Sequence, residues 1–233
     1  TLTPVTKLYV IEAPDVARKA QAGQFIVLRV TEEGERIPLT IADYDRAAGT
    51  ITIVVQELGK SSKLLGTLSE GDSLASFTGP LGRPTDIENY GTVVLVGGGL
   101  GIAPIYPICR SLRAAGNHVI AIIGARSGDL LFWEEEMRSV SDELIVVTDD
   151  GSYARKALVT VPLKEMLEAG RQIDCVWGIG PAIMMKFVAL TTQPFGVRTI
   201  VSLNSIMVDG TGMCGACRVS VGGKTRFACV DGP

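Results

Sequence analysis

Four residues near the end of the chain have side chains and a spacing suited to holding metal: Asp209, Cys214, Cys217 and Cys229. A first ligand, four intervening residues, a cysteine, two more residues, a cysteine and then a distant cysteine is the pattern of a plant-type [2Fe–2S] cluster, with aspartate here in the first position. Three thiolates and a carboxylate can still complete four-coordinate iron; the carboxylate preserves the ligand charge but is a harder donor. Gly210, Gly212 and Gly215 allow the backbone to turn tightly around inorganic sulfur and to offer it N–H groups. The same residues would also suit zinc, and a Cys-x-x-Cys pair can form a redox disulfide. Spacing and glycine content favour the iron–sulfur reading, and hence an electron carrier.

The rest of the composition narrows the class. The chain has 233 residues, 46% of them hydrophobic, enough for one large domain or two smaller ones with ordinary cores. No apolar run reaches the ~18–20 residues of a membrane helix, and the start, Thr1-Leu2-Thr3-Pro4, has no basic segment leading into an apolar one. A soluble, cytoplasmic protein without a membrane partner is expected. The formal charge of −3 offers no basic field for nucleic acid. Cys109 and Cys175 fall in apolar stretches, which speaks against a secreted disulfide framework. His118 is the only histidine, so a His-based triad or a multi-histidine metal site is excluded, and a structural or surface role is expected for it.

The elements that must position these residues change rhythm along the chain. Residues 1 to 90 read as short strands, at 24–30, 50–56 and 72–78, separated by Gly and Pro turns, which suggests a small antiparallel barrel. From Thr92, apolar strands at 93–96, 119–123, 144–147, 175–177 and 199–203 alternate with helical stretches around 103–115, 132–140, 161–169 and 182–191. That alternation is the pattern of a doubly wound α/β domain with a parallel sheet. The expected domains are 1–90, 91–203 and a cluster segment at 204–233, with 86–91 as the first boundary. In the second, Val93–Pro104 runs strand, glycine turn, helix, and its glycines would let a backbone approach a pyrophosphate. The spacing is Gly-Gly-Gly-x-Gly-x-Ala-Pro rather than G-x-G-x-x-G, and the next strand ends in Gly124-Ala125-Arg126 with no acid at its tip. In the barrel, Arg36-Ile37-Pro38-Leu39-Thr40 would set a guanidinium near a phosphate, and Gly59-Lys60-Ser61-Ser62 looks like a loop entering a short helix. Each is also consistent with an ordinary strand end or helix cap.

Taken in order, Arg-x-Pro-x-Thr, the Gly59–Leu65 loop and helix, the Gly98–Pro104 turn, Gly178-Ile179-Gly180-Pro181 and the terminal cysteines resemble the ferredoxin–NADP reductase superfamily over essentially the whole chain. Within it the chain is similar to the branch of dihydroorotate dehydrogenase B electron-transfer subunits. It is closer still to the small-subunit family of NADH-dependent reduced ferredoxin:NADP oxidoreductase, also known as sulfide dehydrogenase, where aspartate stands at the position of Asp209. The resemblance implies FAD on the barrel, with Arg36 at the pyrophosphate, Pro38, Leu39, Thr40 and Val54 at the flavin, and N–H groups around Gly59, Lys60, Ser61 and Ser62 at the phosphates. It implies NAD(H) at Gly98, Gly99, Gly101, Arg126, Asp149 and Asp150, with Thr148 and Gly151 nearby and Gly180-Pro181 beneath the nicotinamide. NADP(H) is left open by Arg126, which could answer a 2′-phosphate. Cys175 lies near the position of a family cysteine that sits close to the nicotinamide. The metal ligands implied are Asp209, Cys214, Cys217 and Cys229, and no residue is given an acid–base role. The partner implied is a larger flavoprotein subunit with [4Fe–4S] clusters, through which ferredoxin is served and electrons are bifurcated. Two other readings stay open: the electron-transfer subunit of a dihydroorotate or sulfide/polysulfide dehydrogenase, and a non-enzymatic zinc-binding regulator.

Overall fold

The computed structural model describes residues 1–203 and 205–233; Asn204, the first residue of the expected cluster segment, lies outside them. The chain divides into two compact units, Thr1–Thr85 together with Leu203–Pro233, and Asp86–Ser202. The first begins with β1 (Thr6–Glu12), α1 (Pro14–Ala17), β2 (Phe25–Arg29), β3 (Ile37–Thr40), β4 (Asp43–Asp45), β5 (Thr50–Gln56), α2 (Lys60–Leu65) and β6 (Ser76–Leu81). These strands form two antiparallel sheets, β1-β5-β4 and β3-β2-β6, the expected barrel. In β5, Ile51, Ile53 and Val55 join the core while Thr50 and Thr52 stay partly exposed, the period of two of a pleated strand.

Strand β2 departs from that alternation. Phe25, Ile26, Val27 and Leu28 are all buried, Ile26 and Leu28 in the barrel core and Phe25 and Val27 against the terminal segment around Cys217 and Cys229. Its partner β6 starts later than the sequence suggests. The Asp72 carboxylate accepts the Ser69 N–H at 2.7 Å and closes a turn, and the ladder begins only at Ser76, opposite Arg29. Pro80 falls where the register shifts between Phe25 and Val27, so its missing N–H costs no ladder bond.

The second unit holds β7 (Thr92–Gly98), α3 (Ile102–Ala114), β8 (His118–Ala125), α4 (Glu134–Val140), β9 (Glu143–Thr148), β10 (Arg155–Lys156), α5 (Thr160–Glu168), β11 (Cys175–Ile179), α6 (Ala182–Thr192) and β12 (Arg198–Val201). Its six strands run parallel in the order β10-β9-β8-β7-β11-β12, so the order reverses at β7. Val94 and Val96 of β7 and Ile120 and Ile122 of β8 share one core with Leu163, Leu167 and Val188 of α5 and α6, while α3 packs against β7 and β8 through buried Ile105, Ile108 and Leu112. Both sheet faces are covered, which is why the strands read as continuous apolar runs. The terminal segment of the first unit closes with β13 (Arg218–Val221), β14 (Lys224–Phe227) and α7 (Ala228–Asp231).

Charge gathers at the amino ends of β8 and β9. Glu143 accepts hydrogen bonds from Arg171, one of them at 2.8 Å, and lies 2.8 Å from His118 Nε2, while Arg113 pairs with Asp142 at 3.1 Å. His118 thus has the structural surface role expected. The Arg171 guanidinium holds the Glu143 carboxyl down at about 2. A carboxyl depressed in the folded state stabilises above its unfolded value, about 4.3, and loses that contribution as pH falls toward the folded value. Because the pair is partly exposed, Arg171→Met should cost only about 0.5–1 kcal/mol at pH 7. Urea denaturation followed by tryptophan fluorescence should show that gap shrinking between pH 5 and pH 3; a gap independent of pH would refute the assignment.

Candidate cofactor sites

The parallel sheet brings the expected nucleotide residues to one edge. Gly98 pairs with Gly124, Ile179 with Gly97 and Ala125 with Thr148, so Gly99, Gly101, Arg126, Asp149, Asp150, Gly180 and Pro181 all follow carboxyl ends of neighbouring strands. In open α/β sheets the crevice outside these ends, where strand order reverses, is where ligands bind. The glycines divide their tasks. A Cβ on Gly98 would lie 2.3 Å from Met184 Sδ, and one on Gly101 would lie 1.9 Å from the Ile179 carbonyl oxygen. These two let the loops after β7 and β11 close on each other. Gly99, at φ +55° with nothing within 4 Å of its Cβ position, is the one that leaves backbone open to a ligand.

The loop after β9 is tied to the loop after β8. Asp149 and Asp150 donate their N–H groups to the carbonyls of Ala125 and Arg126 at 3.0 and 3.1 Å, and Ser152 Oγ accepts the Gly128 N–H at 2.9 Å. Asp150 accepts the N–H and the hydroxyl of Ser152, which hold its carboxyl below the usual range. Met184 and Ser152 were not legible as supports, because their roles exist only once the loops meet. Cys175 lies away from these loops. It begins β11, fully buried and five residues from Gly180, about 16 Å along an extended strand, so it is not at the nucleotide edge. Its thiol is pushed up to about 11 by burial.

In the barrel unit, Pro38, Leu39 and Thr40 lie on β3, paired with Val27, Ile26 and Phe25. Arg36 precedes them, exposed, and Val54 is buried on the opposite face of β5 from Ile53 and Val55. Ser61 donates to Glu35, joining the start of α2 to the segment before β3. The Ser62 hydroxyl accepts the N–H groups of Leu58 and Gly59 at 3.1 and 2.9 Å, so it serves as an internal cap. The N–H groups of Lys60, Ser61 and Ser62 precede the first intrahelical bond, from Lys63 to Gly59, and are what this turn offers an anion. At its other end α2 is pinned by Lys7 Nζ on the Gly66 carbonyl at 2.5 Å and by the Tyr9 hydroxyl on that of Leu65 at 3.0 Å.

The terminal candidate ligands form two pairs. Cys217 precedes β13 and Cys229 follows β14, and the hairpin register, Arg218 opposite Phe227, brings them together with sulfurs 3.1 Å apart. Gly222-Gly223, at φ +57° and +74°, makes the two-residue turn that sets this register; the Gly-Gly dipeptide between alternating residues was its sequence signal. Asp209 accepts the N–H of Thr211 and of Cys214, each at 2.9 Å, and these bonds, that of Thr211 foremost, hold its carboxyl below the usual range. Cys214 is exposed, whereas Cys217 and Cys229 are buried. Burial, reinforced by the Cys217 thiol, pushes Cys229 up to about 11, so a thiolate there calls for a neighbouring cation. Among the described residues no three His, Cys, Asp or Glu side chains converge on one ion; the Cys217 and Cys229 thiols meet across the hairpin, and Asp209 meets Cys214 through the backbone N–H of Cys214.

Folds of the ferredoxin-reductase class join a flavin barrel to a nucleotide-binding parallel sheet, and this chain is one of them, extended by an iron–sulfur segment. Residues 204–233 match the iron–sulfur cluster binding domain of dihydroorotate dehydrogenase B. A Thermotoga maritima dihydroorotate dehydrogenase B (NAD(+)) electron transfer subunit homolog is 51% identical over 223 residues, 96% of this chain and 78% of that protein. The electron transfer subunit of the Streptococcus pneumoniae R6 enzyme is 31% identical over 227 residues, 94% of this chain and 86% of that one. A chain from the structure of an NADH-dependent reduced ferredoxin–NADP oxidoreductase, studied for flavin-based electron bifurcation, superposes with a TM-score of 0.94 at 48% identity, covering 100% of this chain and 84% of that one. The chain belongs to the family of dihydroorotate dehydrogenase B electron-transfer subunits and their homologues. Its fold and family indicate FAD, a [2Fe–2S] cluster and NAD(H). No helix among the described residues is long and apolar enough to cross a membrane.

The packing of Gly101 gives a direct test of the nucleotide edge. Its methyl would strike backbone rather than a flexible side chain, so Gly101→Ala should part the loops after β7 and β11. NADH affinity, measured by calorimetry, should fall at least about tenfold, roughly 1.4 kcal/mol, with FAD content unchanged. Unaltered affinity would show that NADH does not depend on this edge.

Proposed function

We propose that the chain is the electron-transfer subunit of a two-subunit oxidoreductase, carrying electrons between NAD(H) and a larger flavin- and [4Fe–4S]-containing partner that serves ferredoxin and NADP(H) by flavin-based electron bifurcation. The supporting observation is the correspondence of the whole chain, at a TM-score of 0.94, with a subunit of such an enzyme. The aspartate at position 209 agrees with it, since the dihydroorotate branch that the chain also resembles has cysteine there.

In this reading Arg36 and the N–H groups of Lys60, Ser61 and Ser62 hold the FAD pyrophosphate, with Gly59 shaping the turn, and Pro38, Leu39, Thr40 and Val54 flank the ring. Gly98, Gly99, Gly101, Arg126, Asp149 and Asp150 bind the dinucleotide, and Gly180-Pro181 supports the nicotinamide. Asp209, Cys214, Cys217 and Cys229 hold the cluster. Bound FAD exchanges electron pairs with a nicotinamide and single electrons with a [2Fe–2S] cluster. The protein's part is to fix the positions of these groups and tune their potentials, and it supplies no acid or base. Five cysteines without a disulfide among them suit a reducing, cytoplasmic setting. A second reading, service to a dihydroorotate dehydrogenase, is favoured by the family match of residues 204–233. Identifying the larger subunit that copurifies with the chain separates the two.

The primary test is a visible spectrum and EPR of the anaerobically purified protein before and after NADH. Bleaching of flavin bands with the appearance of a reduced [2Fe–2S] signal is expected, and colourless protein containing zinc would overturn the proposal. Asp209→Cys should still assemble a [2Fe–2S] centre, with altered g-values and potential; spectra identical to the parent would remove Asp209 from the ligand set.

A further inference from the structure

We infer that Arg218 raises the reduction potential of the cluster by holding a permanent positive charge against the loop between Cys214 and Cys217. The inference rests on the reading of Asp209, Cys214, Cys217 and Cys229 as cluster ligands. Arg218 directly follows Cys217, and its N–H bonds the Gly215 carbonyl at 3.3 Å. Across the hairpin it faces Phe227, and its guanidinium lies over that ring, 5.8 Å from the centroid. Phe227 packs into the cluster of buried residues that contains Cys217 and Cys229, so the cation is anchored to the wall of the site. Its Nη2 stands 3.4 Å from the position a Cβ on Gly215 would take. The guanidinium thus lies within van der Waals reach of the loop at Gly215.

The charge is also uncompensated locally. Among the described residues no carboxylate stands within ion-pairing distance of Arg218; nearby Asp231 is engaged by Arg226 at 3.5 Å and by the Phe227 N–H at 2.7 Å. A guanidinium stays protonated at any working pH, so the charge is constant. Three thiolates and a carboxylate leave the oxidised centre an anion, and one-electron reduction adds a further negative charge. A fixed cation stabilises the more negative, reduced state. At the separations and screening of a surface loop this amounts to about threefold to tenfold in the reduction equilibrium, or ~28–59 mV for a one-electron couple.

The test is a potentiometric titration of the full, cofactor-loaded chain with dithionite, the cluster being followed by EPR at low and high salt. Arg218→Gln should lower the potential by that amount at low salt, and Arg218→Lys, which keeps the charge but cannot lie flat on Phe227, should lower it less. Added salt should narrow the gap between the Gln variant and the parent. An unchanged potential in Arg218→Gln, or equal falls in the Gln and Lys variants, would overturn the inference. Should the Gln variant not assemble, Arg218→Leu keeps the apolar cover over Phe227 and carries the same expectation. A parent protein with no [2Fe–2S] signal would instead refute the ligand assignment beneath it.

Discussion

Strand β2 is buried on both faces, and the arrangement of the first unit depends on it. Ile26 and Leu28 point into the barrel core, while Phe25 and Val27 form the wall on which Met207, Cys217, Ala228 and Cys229 pack. Each such side chain contributes about 1.5–3 kcal/mol when fully buried. The cluster segment is too short to bury a core of its own and takes it from the barrel. Gly210 shows how close the fit is: a Cβ there would come within 2.8 Å of Leu81 Cδ1. The strand that pairs with β3 in the flavin half therefore also fixes the height and orientation of the cysteine hairpin.

In the second unit the charged network and the candidate nucleotide residues occupy opposite ends of one sheet. The amino ends of β8 and β9 carry Arg113, His118, Asp142, Glu143 and Arg171, linked to one another as ion pairs and hydrogen bonds. The carboxyl ends carry glycine turns and the Asp149-Asp150 loop, whose backbone is braced internally while Gly99 and the Asp150 carboxylate stay accessible. Cys175 shows the consequence of strand direction: a residue close to Gly180 in sequence lies among the structural residues because β11 runs from one end to the other. Proximity along a parallel strand is distance from the site.

Much of this was legible in the sequence, for physical reasons that can be named. The switch from short alternating strands to apolar strands separated by helices gave both architectures, because burial on one or both faces imprints directly on residue order. The continuous run 25–28 inside an otherwise alternating barrel was visible too, but what covers its second face was not, since the covering residues lie some 180 positions later. The strand expected at 72–78 begins only at Ser76, because the Asp72 side chain competes for backbone N–H groups and prolongs the turn. The N–H of Ser62, given to phosphate by resemblance, stays on offer in the fold, but that its hydroxyl is occupied by Leu58 and Gly59 could not be read from the sequence. The Gly98-Gly99-Gly101 motif announced a turn but not which glycine packs and which stays open, since that depends on Met184 and Ile179.

The candidate ligands of the terminal segment are brought together by two kinds of constraint. Asp209 and Cys214 are brought together locally, by a loop whose positive-φ glycines let the carboxylate accept the N–H groups of Thr211 and Cys214. Cys217 and Cys229 are twelve residues apart and meet only when β13 and β14 pair in register. A one-residue slip in that hairpin would turn Phe227 away from Arg218 and carry Cys229 off the face where Cys217 waits. The Gly222-Gly223 turn guards against the slip, and so does the packing of Phe227 and Ala228 on the wall made by β2. Spacing in the sequence singles out all four candidate ligands, but the local pair is specified by its own loop, whereas the distant pair exists only if hairpin and barrel agree.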